Sequence, residues 1–343
     1  MRVLVRGGGL AGLAAAKLLH DRGAELCLTA LAQGAGRIVA VSVETLELAA
    51  DLFDMDVARL QIGPMVRARE VDWSSGGAGR VEQAALVCDA QDLACVLARK
   101  LESEGVVAGR FDDGQADWIV DASGRDASGG ILGGERVGYF ARIADWQGKD
   151  ATTITATDQG WIFTAPHPKG GLSVLVIAPS VQRVAATPDG CADWLARTGL
   201  AVRPEAISEI GRVQAIAPFL ANSLAPGRKI KAGDAALALD PLRGDGTGFA
   251  LRGGLLAQAV IGAIGAAKNR ARYVAHYETR MRDAFVSHLN GCSAHYRAAR
   301  HAGIWARDIA VMERLARELA VDEGAFGLRL EGRDLVRMRQ EAR

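Results

Sequence analysis

The chain has 343 residues, 49% of them apolar and 24% charged, with a formal net charge of +1. That length implies two domains or one large domain with an insertion, and the apolar share supplies a substantial core. So balanced a charge excludes bulk electrostatic capture of nucleic acid. Residues 2–5 read as a buried strand, Gly12 to Asp21 as a helix ended by Gly23, and residues 26–31 as a second strand, which is a βαβ opening. A helix follows over 43–53. Residues 57–88 are strand-rich and broken by a hairpin loop at Ser74-Ser75-Gly76-Gly77-Ala78-Gly79. Residues 92–104 place Leu93, Val96, Leu97 and Leu101 at helical spacing before Gly105, and 118–121 read as a short parallel strand. Between 137 and 184 strand-like runs (152–156, 161–165, 172–178) alternate with turns such as 167–171, as in an antiparallel sheet. Residues 191–198 read as a helix, 230–232 as a strand returning to the first domain, and everything after Gly248 as helical, most clearly 273–296 and 308–319.

Cys27, Cys88, Cys95, Cys191 and Cys292 form no Cys-x-x-Cys pair, which suits reduced thiols and a cytoplasmic location. No signal-peptide pattern opens the sequence, and no run of about 18 apolar residues predicts a membrane span. The stretch 255–267 is short and holds Gly262 and Gly265. The arginines after Arg297 read as a solvated helical face.

Three motifs carry the chemistry. Gly7-x-Gly9-x-x-Gly12 follows a strand and opens a helix. In that context Gly7 permits the turn, Gly9 admits a pyrophosphate, Gly12 lets helix and strand pack closely, and the helix N-terminus supplies N–H donors. The carboxylate expected for the ribose falls on Ala30, beside Thr29, and the next acid is Glu44. Asp121-Ala122-Ser123-Gly124-Arg125 follows the strand at 118–121. Gly233-Asp234 leads into Asp240-Pro241-Leu242-Arg243-Gly244-Asp245-Gly246.

In this order and separation the motifs resemble the FAD-binding fold of the p-hydroxybenzoate hydroxylase type, over residues 1–260 in outline. The form of the Asp121 element is similar to that of flavoproteins resembling tryptophan halogenases, geranylgeranyl reductases and the flavoproteins that mature tryptophylquinone enzymes. The resemblance implies an α/β fold: an FAD-binding Rossmann-like domain of the glutathione-reductase type, an inserted antiparallel-sheet substrate domain and a helical C-terminal tail. The matching spans are 1–136 with 226–268, then 137–225, then 269–343, with strands 57–88 assignable to the substrate sheet. FAD would then meet Gly7, Gly9 and Gly12 at its pyrophosphate, Thr29 at its ribose, Gly124 where the site closes and Asp234 at its ribityl chain. Pro241, Gly244 and Gly246 would lie beneath its ring. The family's phosphate-binding Arg at the start of the 92–104 helix is Ala90 here, and Arg37 is the candidate to replace it.

Halogenases of this type use a lysine and a Trp-x-Trp-x-Ile-Pro segment. No Trp-x-Trp is present and the only lysine before position 100 is Lys17, so halogenation is excluded. Lack of a cysteine pair excludes disulfide chemistry. No second glycine turn for NADH or NADPH is visible, and the family lacks one too, so either remains a candidate reductant. The resemblance implies a monooxygenase that hydroxylates an aromatic or peptidyl-aromatic, tryptophan-like substrate through a flavin hydroperoxide, the flavin carrying the hard chemistry. One alternative is a flavin-dependent reductase or dehydrogenase of an isoprenoid-like substrate. Another is a flavoprotein-like binding or chaperone protein with a weakened FAD site, with a protein partner. The catalytic candidates are Arg243, Asp245 and Glu44, each of which also reads as a local ion pair or a charge at a helix N-terminus. His288, Cys292 and His295 share one helical face, a pattern more often packing than metal binding. Trp161 reads as core or as cavity wall.

Overall fold

The computed structural model describes residues 1–29, 37–106, 109, 112–125, 129–144, 146, 150–180, 182, 184–266, 269–321 and 327–338. Strand β1 (Arg2–Arg6) runs through a glycine turn into α1 (Leu10–Asp21) and β2 (Glu25–Leu28). Then come β3 (Ile38–Ser42), α2 (Val43–Leu52), β4 (Met65–Asp72), β5 (Gly79–Asp89), α3 (Ala90–Ser103), β6 (Trp118–Asp121) and β7 (Gly130–Leu132). The middle of the chain supplies β8 (Arg136–Ile143), β9 (Ala151–Ala156), β10 (Trp161–Pro166), β11 (Leu172–Pro179), α4 (Pro188–Ala196), β12 (Ile207–Ile210), β13 (Gln214–Ala215) and β14 (Phe219–Ala221). The rest is β15 (Lys229–Lys231), β16 (Leu237–Ala238), α5 (Gly246–Ala266), α6 (Arg270–Ala298), α7 (Ala306–Glu318), β17 (Leu328–Glu331) and β18 (Asp334–Arg337).

A parallel sheet in the order β15-β6-β1-β2 carries the glycine turn at the C-terminal end of β1. Its strands are buried on both faces, with Val3, Val5, Val120 and Ile230 fully enclosed, as parallel strands under helices are. Helix α5 crosses α1 so closely that a Cβ on Gly254 would come within 2.3 Å of the Ala11 carbonyl oxygen. By length and composition alone α5 could cross a membrane; here its Leu251, Ala257, Val260 and Ile261 are core.

The second sheet has nine strands, β12-β8-β11-β10-β9-β4-β5-β3 with β13 also paired to β8. It is larger than the 137–225 span, because β3, β4 and β5 join it. The bridge is β4, which pairs antiparallel with β5 and parallel with β9, Val71 lying beside Ile154. β4 is therefore an interior strand over residues 68–71, paired on both sides. A small sheet, β16-β14-β7, links the two. The C-terminal region is not wholly helical: β17 and β18 form a hairpin turning at Gly332, φ +57°. Arg333 ties this hairpin to α1, reaching Asp21 at 3.0 Å, and to α2, reaching the Asp51 carbonyl at 3.1 Å.

Candidate active site

At the end of β1, Gly7 sits at φ +92° and a Cβ there would lie 2.2 Å from the Ala122 carbonyl oxygen. A Cβ on Gly12 would lie 2.1 Å from the Gly7 carbonyl oxygen. The turn itself therefore demands both glycines. Gly9 is different. Its φ of −74° and ψ of 171° suit any residue, and a Cβ there would meet no protein atom within 4 Å. The same space surrounds Gly246 at the start of α5. Both border a groove of about 240 Å³ that also meets Ala90, Gly124 and Asp234. Helix α1 starts without a side-chain cap or an acid in its first turn, so its leading N–H groups and positive dipole end are free for an anion. These features fit a dinucleotide: its phosphates need close backbone approach and donors, and the groove offers both.

Three other cofactor candidates are more particular. The Thr29 hydroxyl oxygen accepts from the Gly7 N–H at 3.0 Å, so it braces the turn from β2. Ala30 lies outside the described residues. Ala90 opens α3 and faces the groove with a methyl group, while Asp89 caps the helix by accepting from the Gln91 N–H at 2.8 Å. Arg37 stands where that groove meets a second cavity, 3.8 Å from the Asp234 carboxylate.

The second cavity holds about 130 Å³ and shares Arg37, Asp234, Gly246 and Thr247 with the groove. Its floor follows from strand periodicity. Cross-strand partners point to one face, and Val71, Ile154, Phe163, Leu175 and Phe140 align across five neighbouring strands. Four of them, Ile154 to Phe140, line the cavity with Trp161. The opposite wall is the loop of Leu239, Asp240, Pro241, Leu242 and Gly244. One cation stands on the sheet floor, Arg69, and burial pushes its guanidinium pKa below the ordinary value.

A buried network fixes the loop. Asp240 Oδ2 lies 2.8 Å from Arg136 Nε and accepts from the Tyr296 hydroxyl at 3.0 Å. Asp240 Oδ1 accepts from the Leu242 N–H at 2.9 Å. Arg136 also donates to Asp308 at 2.9 Å and to the Gly133 carbonyl at 3.0 Å. The Trp161 indole N–H donates to the Tyr296 oxygen at 3.1 Å, and Trp73 packs edge-on against both rings. The Asp240 N–H donates to His288 Nε2 at 2.7 Å. That nitrogen is therefore unprotonated, and burial pulls the His288 pKa down to about 4. The cavity wall and the Asp240 loop are thus pinned to α6 and α7 through one hydroxyl and one carboxylate.

Pro241 and Gly244 line the cavity, and Gly124, at φ +91°, lines the groove. The structure does not bring Arg243, Asp245 or Glu44 to either. Arg243 is exposed and packs on α6, where a Cβ on Gly291 would lie 2.5 Å from its Nη1. Asp245 pairs with Arg252 at 2.6 Å on the surface. Glu44 is exposed at the start of α2. Its own backbone N–H and the Ser42 hydroxyl hold its carboxyl below the usual range. These are the local pairing and helix-N-terminal readings of those residues. Lys17 is buried among Asp21, Asp54 and Glu104. His295 points outward, and among the described residues no His, Cys, Asp or Glu cluster could hold a metal. Sequence reasoning missed Arg69, Arg136, His288 as a loop support, and Tyr296.

No family model matches the chain, and no curated protein does. Solved structures do. A peptidyl tryptophan dihydroxylase, QhpG, described as essential for tryptophylquinone cofactor biogenesis, is 24% identical with TM-score 0.77, covering 90% of this chain and 78% of its own. The myxobacterial chondrochloren halogenase CndH, an FAD-dependent halogenase, is 15% identical with TM-score 0.73, covering 94% and 98%. Klebsiella pneumoniae HpxO complexed with FAD and uric acid is 16% identical with TM-score 0.64, covering 93% and 92%. At these identities the likeness shows the fold: this chain is built like FAD-dependent hydroxylases and halogenases.

Proposed function

We propose that this chain is an FAD-dependent monooxygenase of an aromatic or peptidyl-aromatic, tryptophan-like substrate. The observation that carries the reading is the meeting of two cavities, a glycine-lined groove and an aromatic-floored pocket, at Arg37, Asp234, Gly246 and Thr247. FAD would be held by the Gly9 turn and the α1 N-terminus at its phosphates, by Asp234 at its ribityl chain, and by Pro241, Gly244 and the start of α5 along its ring. When bound, the flavin supplies the electron-transfer and dioxygen chemistry. The chain supplies the rest. Ile154, Phe163, Leu175 and Phe140 exclude water and accept a ring. The Arg136–Asp240–Tyr296 network holds the facing loop rigid, and α5 turns its positive end to the junction. The dihydroxylation of peptidyl tryptophan named for one structural neighbour supports a tryptophan-like substrate. Five free thiols suit a cytoplasmic setting, and NADH or NADPH would serve as the reductant.

The test is an absorption spectrum of the purified chain after incubation with FAD and removal of the excess. Flavin bands that stay with the protein, and oxidation of NADH or NADPH stimulated by an aromatic probe, are expected. No retained flavin at high FAD would favour the binding-protein reading, for which the bare Ala90 methyl in the groove is the specific observation.

A further inference from the structure

Four aromatic side chains lead away from the cavity as a connected file. Trp161 lines the cavity. Its indole N–H donates to the Tyr296 oxygen at 3.1 Å. The Trp73 ring lies 6.3 Å from the Trp161 ring and 5.9 Å from the Tyr296 ring, centroid to centroid, and Trp305 packs on Tyr296 at 4.5 Å. These are the spacings of rings in contact. Trp161 and Trp305 are 1% exposed and Tyr296 0%, whereas Trp73 keeps 9% of its surface in water. The file therefore runs from the cavity towards the surface. Packing alone asks for bulk here, not for an ordered proton path. Yet the Tyr296 hydroxyl, which accepts from Trp161, donates in turn to Asp240 Oδ2 at 3.0 Å, and a carboxylate is a base able to take the phenolic proton. Two other buried tyrosines differ. The Tyr277 hydroxyl donates to the Lys231 carbonyl, and the Tyr139 hydroxyl meets the Cys191 thiol; neither partner is a comparable base.

Indole and phenol are among the side chains that give up one electron most readily. An oxidised phenol is a strong acid, so it is formed easily only where its proton has somewhere to go. We propose that Trp161, Tyr296 and Trp73 form a relay that carries one-electron oxidising equivalents out of the cavity, with Asp240 as the proton acceptor of Tyr296. A one-electron oxidant in the cavity takes an electron from Trp161. Tyr296 refills Trp161 and passes its proton to Asp240 Oδ2, leaving a neutral tyrosyl radical. Trp73 then reduces that radical and the proton returns to the phenol. A soluble reductant such as ascorbate or a thiol restores Trp73 at the surface. Each oxidant quenched thus consumes one electron from solution and leaves every residue as it was. The Arg136 guanidinium lies 2.8 Å from Asp240 and over the Tyr296 ring. It opposes positive charge on that ring, so electron and proton leave together. Burial and the Asp240 charge keep the phenol protonated until then. That the cavity meets such oxidants rests on the proposed oxygen-using flavin reaction; the redox competence of Tyr296 does not.

The test is radical trapping in the full chain. In one arm the FAD-loaded chain is illuminated with blue light, which makes bound flavin a one-electron oxidant. In the other the flavin-free chain is oxidised by photogenerated ruthenium(III) tris-bipyridine. Samples frozen under illumination are read by electron paramagnetic resonance. A tyrosyl signal is expected in both arms, with a proton coupling from protonated Asp240 that disappears after exchange into heavy water. The signal should be lost in Tyr296→Phe. In the illuminated arm it should live longer in Trp73→Phe, where the exit is cut. Trp161→Phe should lengthen the fluorescence lifetime of the bound flavin, because the first donor is gone. Should Tyr296→Phe fail to fold, a ring-fluorinated tyrosine at position 296, which changes size little, decides: the signal should gain fluorine splitting.

No tyrosyl signal in either arm overturns the relay. So does a signal that survives Tyr296→Phe, that shows no fluorine splitting in the labelled chain, or that lacks the exchangeable coupling, which would remove Asp240 as acceptor. A signal under ruthenium but none from the illuminated, FAD-loaded chain would overturn the route from the cavity. A chain that retains no FAD yet forms the Tyr296 radical under ruthenium would sink the monooxygenase reading and leave the redox role of Tyr296 standing; retained FAD without the radical would do the reverse.

Discussion

Gly9→Ala separates a glycine kept for a ligand from one kept for the fold. The new Cβ meets no protein atom within 4 Å, and φ −74°, ψ 171° is open to alanine. Two small effects then oppose each other. Reduced freedom of the unfolded chain stabilises by about 0.4–1 kcal/mol, and alanine is the poorer N-cap by a similar amount. Folding stability should stay within about 1 kcal/mol of the parent. FAD affinity should fall at least roughly tenfold, because the methyl occupies the line along which a pyrophosphate approaches the α1 N-terminus. Gly12→Ala is the control. Its Cβ would lie 2.1 Å from a backbone oxygen, so it should cost about 1–3 kcal/mol or more whether or not FAD is present. The assays are urea denaturation of the flavin-free chain and equilibrium FAD titration by flavin fluorescence. Gly9→Ala that binds FAD within twofold of the parent would falsify the placement of the phosphates. A large stability loss would show that Gly9 serves the turn instead.

Arg136→Met breaks two buried pairs at once, with Asp240 and Asp308, and should lower unfolding stability by about 3–5 kcal/mol. Arg80→Ala, an exposed pair on β5, should change it by less than about 1 kcal/mol in the same denaturation series. Ala90→Arg places a cation at the groove and should tighten FAD, with the gain shrinking as salt rises; a salt-independent gain would mean the new side chain acts by contact rather than charge. Burial holds His288 and His276 each near a pKa of about 4, against about 6.5 unfolded. The unfolded chain therefore binds more protons between these values, so stability is full above about pH 6.5 and falls as pH drops toward 4. For His288 the loss is on the order of 3 kcal/mol. His288→Gln, whose amide oxygen can still accept the Asp240 N–H, should flatten the slope of thermal stability against pH.

What the sequence discloses follows from how local each constraint is. Gly7 and Gly12 are legible because a positive φ and a close approach leave one residue type for the place. The runs at β9, β10 and β11 are legible because alternation is a property of the strand alone. Sheet membership is not, since alternation says which side chains share a face but not which strand lies alongside. Nothing in residues 38–89 announces that β4 will run parallel to β9. Arg67 and Arg69 are indistinguishable by period, yet one is solvated and the other lies under the Asp240 loop. The C-terminal hairpin alternates over only four residues per strand, too short to stand out beside two long helices. The network around Asp240 was hidden for a different reason: its partners at 136, 288, 296 and 308 meet only after both sheets and two helices have packed.

That network also sharpens the meaning of the features left over. Arg136 is an arginine taken out of water, with two carboxylates, a carbonyl and the Tyr296 ring around it. Its presence is accounted for by the protein. Gly7, Gly12 and Gly254 are likewise explained by atoms that a Cβ would strike. Gly9 and Gly246 are not explained in this way: neither has a positive φ, and a Cβ on either would meet nothing within 4 Å, as is also true of Gly79, Gly265 and Gly303. Of these five, Gly9 and Gly246 come from distant parts of the chain, the first turn and the start of α5, yet both border the connected cavities. Open space beside two glycines, one at the N-terminus of α1 and one at that of α5, on one groove is what is expected where a ligand must come close to the backbone.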